Sequence, residues 1–151
     1  MEGIFIFSKA KKEEKFIQDL TLAGFRMRAY VRITGYYYRG KEYSSSEIVI
    51  EKDYYSKDKE RLQEYLRFYI GEDTPVIEEY QGDKVYCLGS NDGGTDCEHL
   101  LLDWCIEYLK INPDHLIVSV DENVYSQEHL LKAKERNEFY WMYKAPEELL
   151  R

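Results

Sequence analysis

Apolar residues recur along this chain at two spacings, near 3.6 and at 2, and the switches between them mark out helices and strands. The densest apolar stretch is residues 93–120, GGTDCEHLLLDWCIEYLKINPDHLIVSV. Thr95 followed by Glu98 predicts a reciprocally capped helix start, with Asp96 and Glu98 at the positive end of the dipole. Pro113 predicts the stop, because it pushes Asn112 out of the helical region. Between them Cys97, Leu101, Trp104, Cys105 and Tyr108 recur at helical spacing, and Leu102, Ile106 and Leu109 fill an adjoining stripe. A helix apolar around most of its girth is a central one. Its remaining stripe, Asp96, His99, Asp103, Glu107 and Lys110, is left for solvent.

The other elements follow in order. Residues 3–7 (GIFIF) predict a strand, and Ser8 opens a helix over residues 9–22 with Phe16, Ile17, Leu20 and Ala23 inward. Gly24 stands where a C-terminal cap glycine belongs. From residue 25 to 38 the alternation of Phe25, Met27, Ala29, Val31 and Ile33 against Arg26, Arg28, Tyr30 and Arg32 predicts a long strand. A turn at Gly40 and a return strand over residues 42–54, with Ile48 and Ile50 in phase, make a hairpin that also carries Arg39 and Lys41. Ser56 is expected to cap a helix over residues 57–70, on the stripe Leu62, Tyr65, Leu66 and Tyr69, ended by Gly71. Asp73, Thr74 and Pro75 form a turn. Residues 76–80 and 84–88 then form a second hairpin about Gln81, Gly82 and Asp83. After the irregular loop of residues 90–96 and the central helix come a strand over 115–120, a turn at Asp121, Glu122 and Asn123, and a helix from Ser126 to about residue 136 with Leu130, Leu131 and Ala133 inward. An aromatic strand, FYWMY (139–143), and a short terminal helix over 145–151 close the chain. Hairpins interspersed with about four helices predict an α+β fold, a mostly antiparallel sheet with the helices chiefly on one face.

At 151 residues the chain fits a single globular domain, 1–151. The apolar run at the N-terminus is too short for a signal peptide, and no stretch approaches a membrane span. Three cysteines without paired spacing point to reduced thiols and a cytoplasmic setting. Charge changes the picture more. Residues 1–70 carry 14 Lys and Arg against 11 Asp and Glu, whereas residues 71–151 carry 7 against 18. Between residues 72 and 107 there are ten acids and one base, Lys84. Such asymmetry speaks to partners rather than to fold. It argues against nucleic acid, which requires a basic face, and leaves a cationic partner or simple solubility.

Four groupings carry candidate chemistry. Asp96, His99 and Asp103 share a helix face, with Cys97 and His115 as further donors, but no compact metal-ligand motif is present, so neither a metal nor a cofactor is expected. Cys97 near a helix start would gain thiolate character, which Asp96 and Glu98 oppose, and Ser44 to Ser46 lack nucleophile-elbow surroundings. The loop SNDGGTD precedes a helix, as anion-binding loops do, but its acids repel phosphate and its spacing is not that of a calcium loop. The fourth is an interface. Acids interleaved with tyrosines give a surface for a basic protein through Glu78, Glu79, Tyr80, Asp83, Asp92, Asp96, His99, Asp103 and Glu107.

The acidic capped helix, YLKINPDHLIVSV, the turn into VYSQEHL and the aromatic FYWMY, together residues 94–143, resemble in general make-up the small acidic cytoplasmic immunity proteins that bacteria carry beside polymorphic or contact-dependent toxins. The resemblance covers about a third of the chain and carries no signature motif. It implies tight one-to-one binding to a toxin domain, often a nuclease. The expected function is therefore non-enzymatic protein binding. The alternatives are a small enzyme or ligand-binding domain with a pocket near Cys97, His99 and Asp103, and a structural subunit that dimerises through Trp141 and Tyr143.

Overall fold

Strand β1 (Ile4–Ser8) sends Ile4 and Ile6 to one side and Phe5 and Phe7 to the other, so both faces of the sheet it joins are apolar. The structure, a computed structural model, describes residues 3–35, 38–39, 42–43, 47–52, 64–70, 77–91 and 97–151. The expected caps at Ser56 and Thr95, the turns at Gly40 and at residues 73–75, Lys41, Ser44 to Ser46, Leu62, Gly71 and the loop of residues 92–96 lie outside them. After β1 come α1 (Glu13–Arg26), β2 (Tyr30–Thr34), the two-residue strands β3 (Tyr38–Arg39) and β4 (Glu42–Tyr43), β5 (Glu47–Lys52) and β6 (Glu64–Ile70). Next are β7 (Glu79–Tyr80), β8 (Asp83–Lys84), β9 (Tyr86–Asn91), α2 (Glu98–Ile111), β10 (Leu116–Ser119) and β11 (Val124–Tyr125). Helix α3 (Gln127–Glu135), a 3-10 turn (Trp141–Tyr143) and α4 (Pro146–Leu149) complete the order.

Seven strands form one antiparallel sheet in the order β11-β10-β1-β9-β6-β5-β2. One cluster of buried side chains runs from Ile4 to Leu149 and holds residues of all four helices, so the helices share one face of the sheet. The fold is α+β, as the hydrophobic pattern predicts. A smaller cluster of Phe7, Val85, Cys87 and Val118 lies on the opposite face, flanked by Ile77 and Tyr80.

Helix α2 is the centre of the larger cluster. Nine of its fourteen residues are buried, and it packs against α1, α3 and β6. Trp104 is fully enclosed: its ring stacks on Tyr108 at 4.9 Å, lies 4.3 Å from Phe68, and its Nε1–H donates to the Leu20 carbonyl at 3.3 Å. The helix stops at Asn112 before Pro113 as expected, and its described part starts at Glu98 with Cys97 at the cap position.

Several expectations are corrected. Residues 64–70 form strand β6, not the end of a helix, because Leu66, Phe68 and Ile70 alternate inward, Leu66 and Phe68 across from Ile50 and Ile48 and Ile70 across from Gly89. Cross-strand burial outweighs the helical stripe that Tyr65, Leu66 and Tyr69 also allow. Ser8 ends β1, its hydroxyl bonded to the Ala10 carbonyl, and α1 starts four residues later than expected, at Glu13. The helix therefore runs on to Arg26, through the first part of the alternating stretch, and β2 is only five residues long. Gly24 lies inside α1, where a Cβ would come within 2.8 Å of Val31 and 3.2 Å of Ile50. The left-handed position at the helix end falls to Arg28 (φ 60°), flanked by the bonds Arg28 N–H to the Phe25 carbonyl and Ala29 N–H to the Gly24 carbonyl. The aromatic stretch 139–143 contains a 3-10 turn rather than a strand, with Trp141 and its neighbour Met142 both buried. The second hairpin is short, since β9 leaves it to pair with β1 and β6.

Three substitutions probe this packing. Trp104→Ala empties the middle of the core and is expected to cost about 3–5 kcal/mol, whereas Leu131→Ala on the exposed side of α3 stays within about 0.5 kcal/mol. Arg28→Gly relieves the left-handed strain and is expected to stabilise by about 1 kcal/mol. Urea denaturation of the three variants checks all of these.

Candidate functional site

The residues expected to form an acidic interface divide into two groups on opposite faces of the sheet. Glu78, Glu79, Tyr80 and Asp83 belong to the β7–β8 hairpin, next to the smaller cluster. His99, Asp103 and Glu107 lie on α2, among the helices. Asp92 and Asp96 lie outside the described residues.

The hairpin is a tight one. Gln81 (φ 50°) and Gly82 (φ 85°) both take left-handed conformations, the geometry that suits the twist of a two-residue hairpin loop. The Val85 N–H donates to the Glu78 carbonyl at 3.0 Å, and Tyr80 with Ile77 packs against the smaller cluster. Glu78 and Glu79 are exposed, and among the described residues neither has an ion-pair partner. Asp83 meets Lys9 at 3.0 Å, but both side chains are more than half exposed, so the pair contributes little.

The α2 stripe is occupied by its own neighbours. His99 Nε2 lies 3.1 Å from Glu64, Lys134 donates to Asp103 at 2.7 Å and Lys110 to Glu107 at 3.0 Å. Cys97 is buried. The polar atoms of His99 and Asp103 are thus taken up by different elements, β6 and α3, rather than directed at a shared point. Among the described residues no three His, Cys, Asp or Glu side chains gather where a metal ion could sit. Burial pushes the Cys105 thiol well up, which holds it in the unreactive form. Trp141 is fully buried, so an aromatic surface on this part of the chain consists of Phe139, Tyr140 and Tyr143 without it.

Two depressions flank the start of α1. One, of about 190 Å³, lies beside the hairpin and is lined by Tyr80, Gln81, Asp83 and Asp114 together with Ser8, Lys9, Val85 and Leu116. The other, of about 240 Å³, is lined by Lys9, Lys12, Lys15, Asn112, Asp114 and His115 among others. At the second, Lys15 donates to Asp19 at 2.5 Å and to the Asn112 side-chain oxygen at 3.1 Å, and the Asn112 amide donates to Asp19 at 3.0 Å. Asp19 and Asn112 are both buried, and the closed triangle gives each a partner, which is the condition for burying such groups without loss. The Tyr108 hydroxyl lies 2.8 Å from His115 Nδ1. Burial lowers the His115 pKa from 6.5, with Lys15 acting in the same direction and Asp114 and Asp19 against it.

Sequence reasoning missed this second grouping. Asn112 read only as the residue before a helix-stopping proline, and Asp19 and Asn112 are 93 positions apart. No local pattern joins them. Comparison with known proteins adds no relative: no family model, no curated protein and no solved structure matches the chain. No described helix is long and apolar enough to cross a membrane.

The lowered His115 pKa has a pH signature. Protonating the ring costs more in the folded chain than in the unfolded one, so stability is expected to fall as pH drops below about 6.5, and to level off below the folded pKa. An NMR titration of the His115 ring is expected to show a midpoint below that of a free histidine. Asp114→Asn, which removes a charge that raises it, should move the midpoint lower still.

Proposed function

We propose that this chain is a non-enzymatic protein-binding module for a basic partner, of the kind exemplified by immunity proteins that neutralise a toxin domain such as a nuclease. The observation that carries this reading is the β7–β8 hairpin. It presents Glu78 and Glu79 to solvent, neither in an ion pair among the described residues although Lys84 stands across the strand pair from Glu79, on a turn fixed by its backbone and anchored by Tyr80. Unpaired carboxylates on a rigid projection accelerate encounter with a positive surface and lose no intramolecular partner when they bind. The depression beside the hairpin supplies the other half of a recognition surface. Asp83 and Asp114 offer carboxylates and Tyr80 an aromatic ring to an arginine or lysine side chain entering it.

The same geometry favours the hairpin over α2 as the centre of the proposed interface. Asp103 and Glu107 already hold Lys134 and Lys110, so a partner would have to displace those contacts. The acidic excess of residues 71–151 supports the sign of the partner's charge. The cysteines Cys87, Cys97 and Cys105 are buried thiols that form no disulfide, in keeping with a protein that works in a reducing cytoplasm.

The test is capture of the partner encoded beside this gene in the source organism, followed by binding measurements with both proteins purified. Glu78→Lys with Glu79→Lys is expected to weaken binding at low salt by about tenfold or more, chiefly through a slower association rate. Asp103→Lys with Glu107→Lys is expected to leave affinity within about twofold, because these residues lie on the other face. Equal affinity of the hairpin variant and the parent would remove the hairpin from the interface. A larger loss from the α2 pair would return the interface to the helix.

A further inference from the structure

The second depression lies where three parts of the chain meet: the link between β1 and α1, the first turn of α1, and the turn that follows α2. Its charged lining consists of Lys9, Lys12, Lys15, His115 and Asp114. Ser8 closes the link from β1, its hydroxyl bonded both ways to the backbone of Ala10. Lys15 is positioned by Asp19 and Asn112. Lys12 is exposed and has no ion-pair partner among the described residues. Among the described residues Lys9 pairs only with Asp83, and that pair joins two exposed side chains and is readily given up.

His115 completes the set of donors through its tautomer. Tyr108 is fully buried, and a buried phenol must donate its proton to some acceptor. The acceptor in reach is His115 Nδ1, at 2.8 Å. With Nδ1 accepting, a neutral ring carries its proton on Nε2, the nitrogen turned away from Tyr108. The neutral ring therefore acts as a donor in a depression whose cationic groups are ammonium donors.

Asp114 is the one carboxylate among the lining residues, and it makes the site selective. A fully deprotonated anion such as sulfate meets it as a like charge. An anion that still carries a hydroxyl can donate to it while accepting from the lysines and from His115. From this geometry we infer that the depression binds a phosphate group that keeps a hydroxyl, either inorganic phosphate or the monoanion of a phosphate monoester. Its volume of about 240 Å³ holds a phosphate group rather than a whole nucleotide. The site shares only Ser8, Lys9 and Asp114 with the depression beside the hairpin, so it stands or falls independently of the partner-binding reading.

The test follows the histidine ring resonances of the intact chain by NMR while inorganic phosphate is added at constant ionic strength and pH 7. A saturable shift at His115, with none at His129 on α3, is the expected result. Lys12→Glu, an exposed change that spares the core, is expected to weaken binding by about tenfold. Sulfate is expected to bind more weakly than phosphate in the parent, and Asp114→Asn to narrow that preference. Phenyl phosphate saturating the same shift would assign the site to monoesters, and inorganic phosphate alone would assign it to the free ion. A linear shift that sodium chloride reproduces would overturn the proposal. So would equal affinity for sulfate and phosphate in the parent, or unchanged phosphate affinity in Lys12→Glu.

Discussion

The burial of α2 governs the rest of the structure. A helix with nine of fourteen residues removed from water cannot sit at an edge, and apolar neighbours must cover it on the sheet side and on both flanks. Phe68 of β6 supplies the floor, Leu20 and Phe16 of α1 one flank, and α3 the other. The sheet in turn makes room for the helices. At Gly89 an added Cβ would lie 2.4 Å from the Tyr69 carbonyl and 2.7 Å from the Phe16 ring, so only a residue without a side chain lets α1 settle this low over β9. At the other end of α1, Gly24 admits Val31 and Ile50 in the same way.

This packing also decides where polar chemistry can occur. On the described part of the α2 stripe His99 and Asp103 pair with β6 and α3, and Glu107 pairs with Lys110 of the same helix, so that face is closed off by its own contacts. At the C-terminal end of α2 the chain turns at Pro113, and the same turn brings Asn112 inward against Asp19 and Lys15 while Asp114 and His115 line a depression open to solvent. A buried triangle beside an open depression is a sharp gradient of polarity, and it exists because the helix that ends there is anchored along its length. The hairpin on the other face is built differently. It owes its shape to two left-handed residues and one aromatic anchor, and projects its acids instead of enclosing them.

Most of the architecture was legible in the sequence. The apolar girth of α2, the break at Pro113, the strand that becomes β10 and the helix after Ser126 were all readable because local periodicity and long-range burial agree there. Reading failed where they disagree. Residues 64–70 satisfy a helical stripe and a strand alternation together, and only the pairing with Ile48 and Ile50 selects the strand. Arg28 at a left-handed helix end breaks the glycine habit, so the sequence points instead to Gly24, a glycine with a packing role. For the site, acidity and exposure of the hairpin could be foreseen from composition. The Lys15–Asp19–Asn112 triangle could not, since it joins α1 to the end of α2 through contacts that leave no periodic trace.

The placement of the two indoles sets what light can report about this molecule. Trp104 and Trp141, the chain's two tryptophans, are both completely buried, and no described group hydrogen-bonds the Trp141 Nε1. Their emission belongs to an apolar interior, out of reach of solvent quenchers, and it tracks the integrity of the helix side of the sheet. Neither indole lies on the hairpin or in the lining of the depressions that flank α1. Intrinsic tryptophan fluorescence is therefore a faithful gauge of folding in this protein and a silent one for whatever occupies its surface.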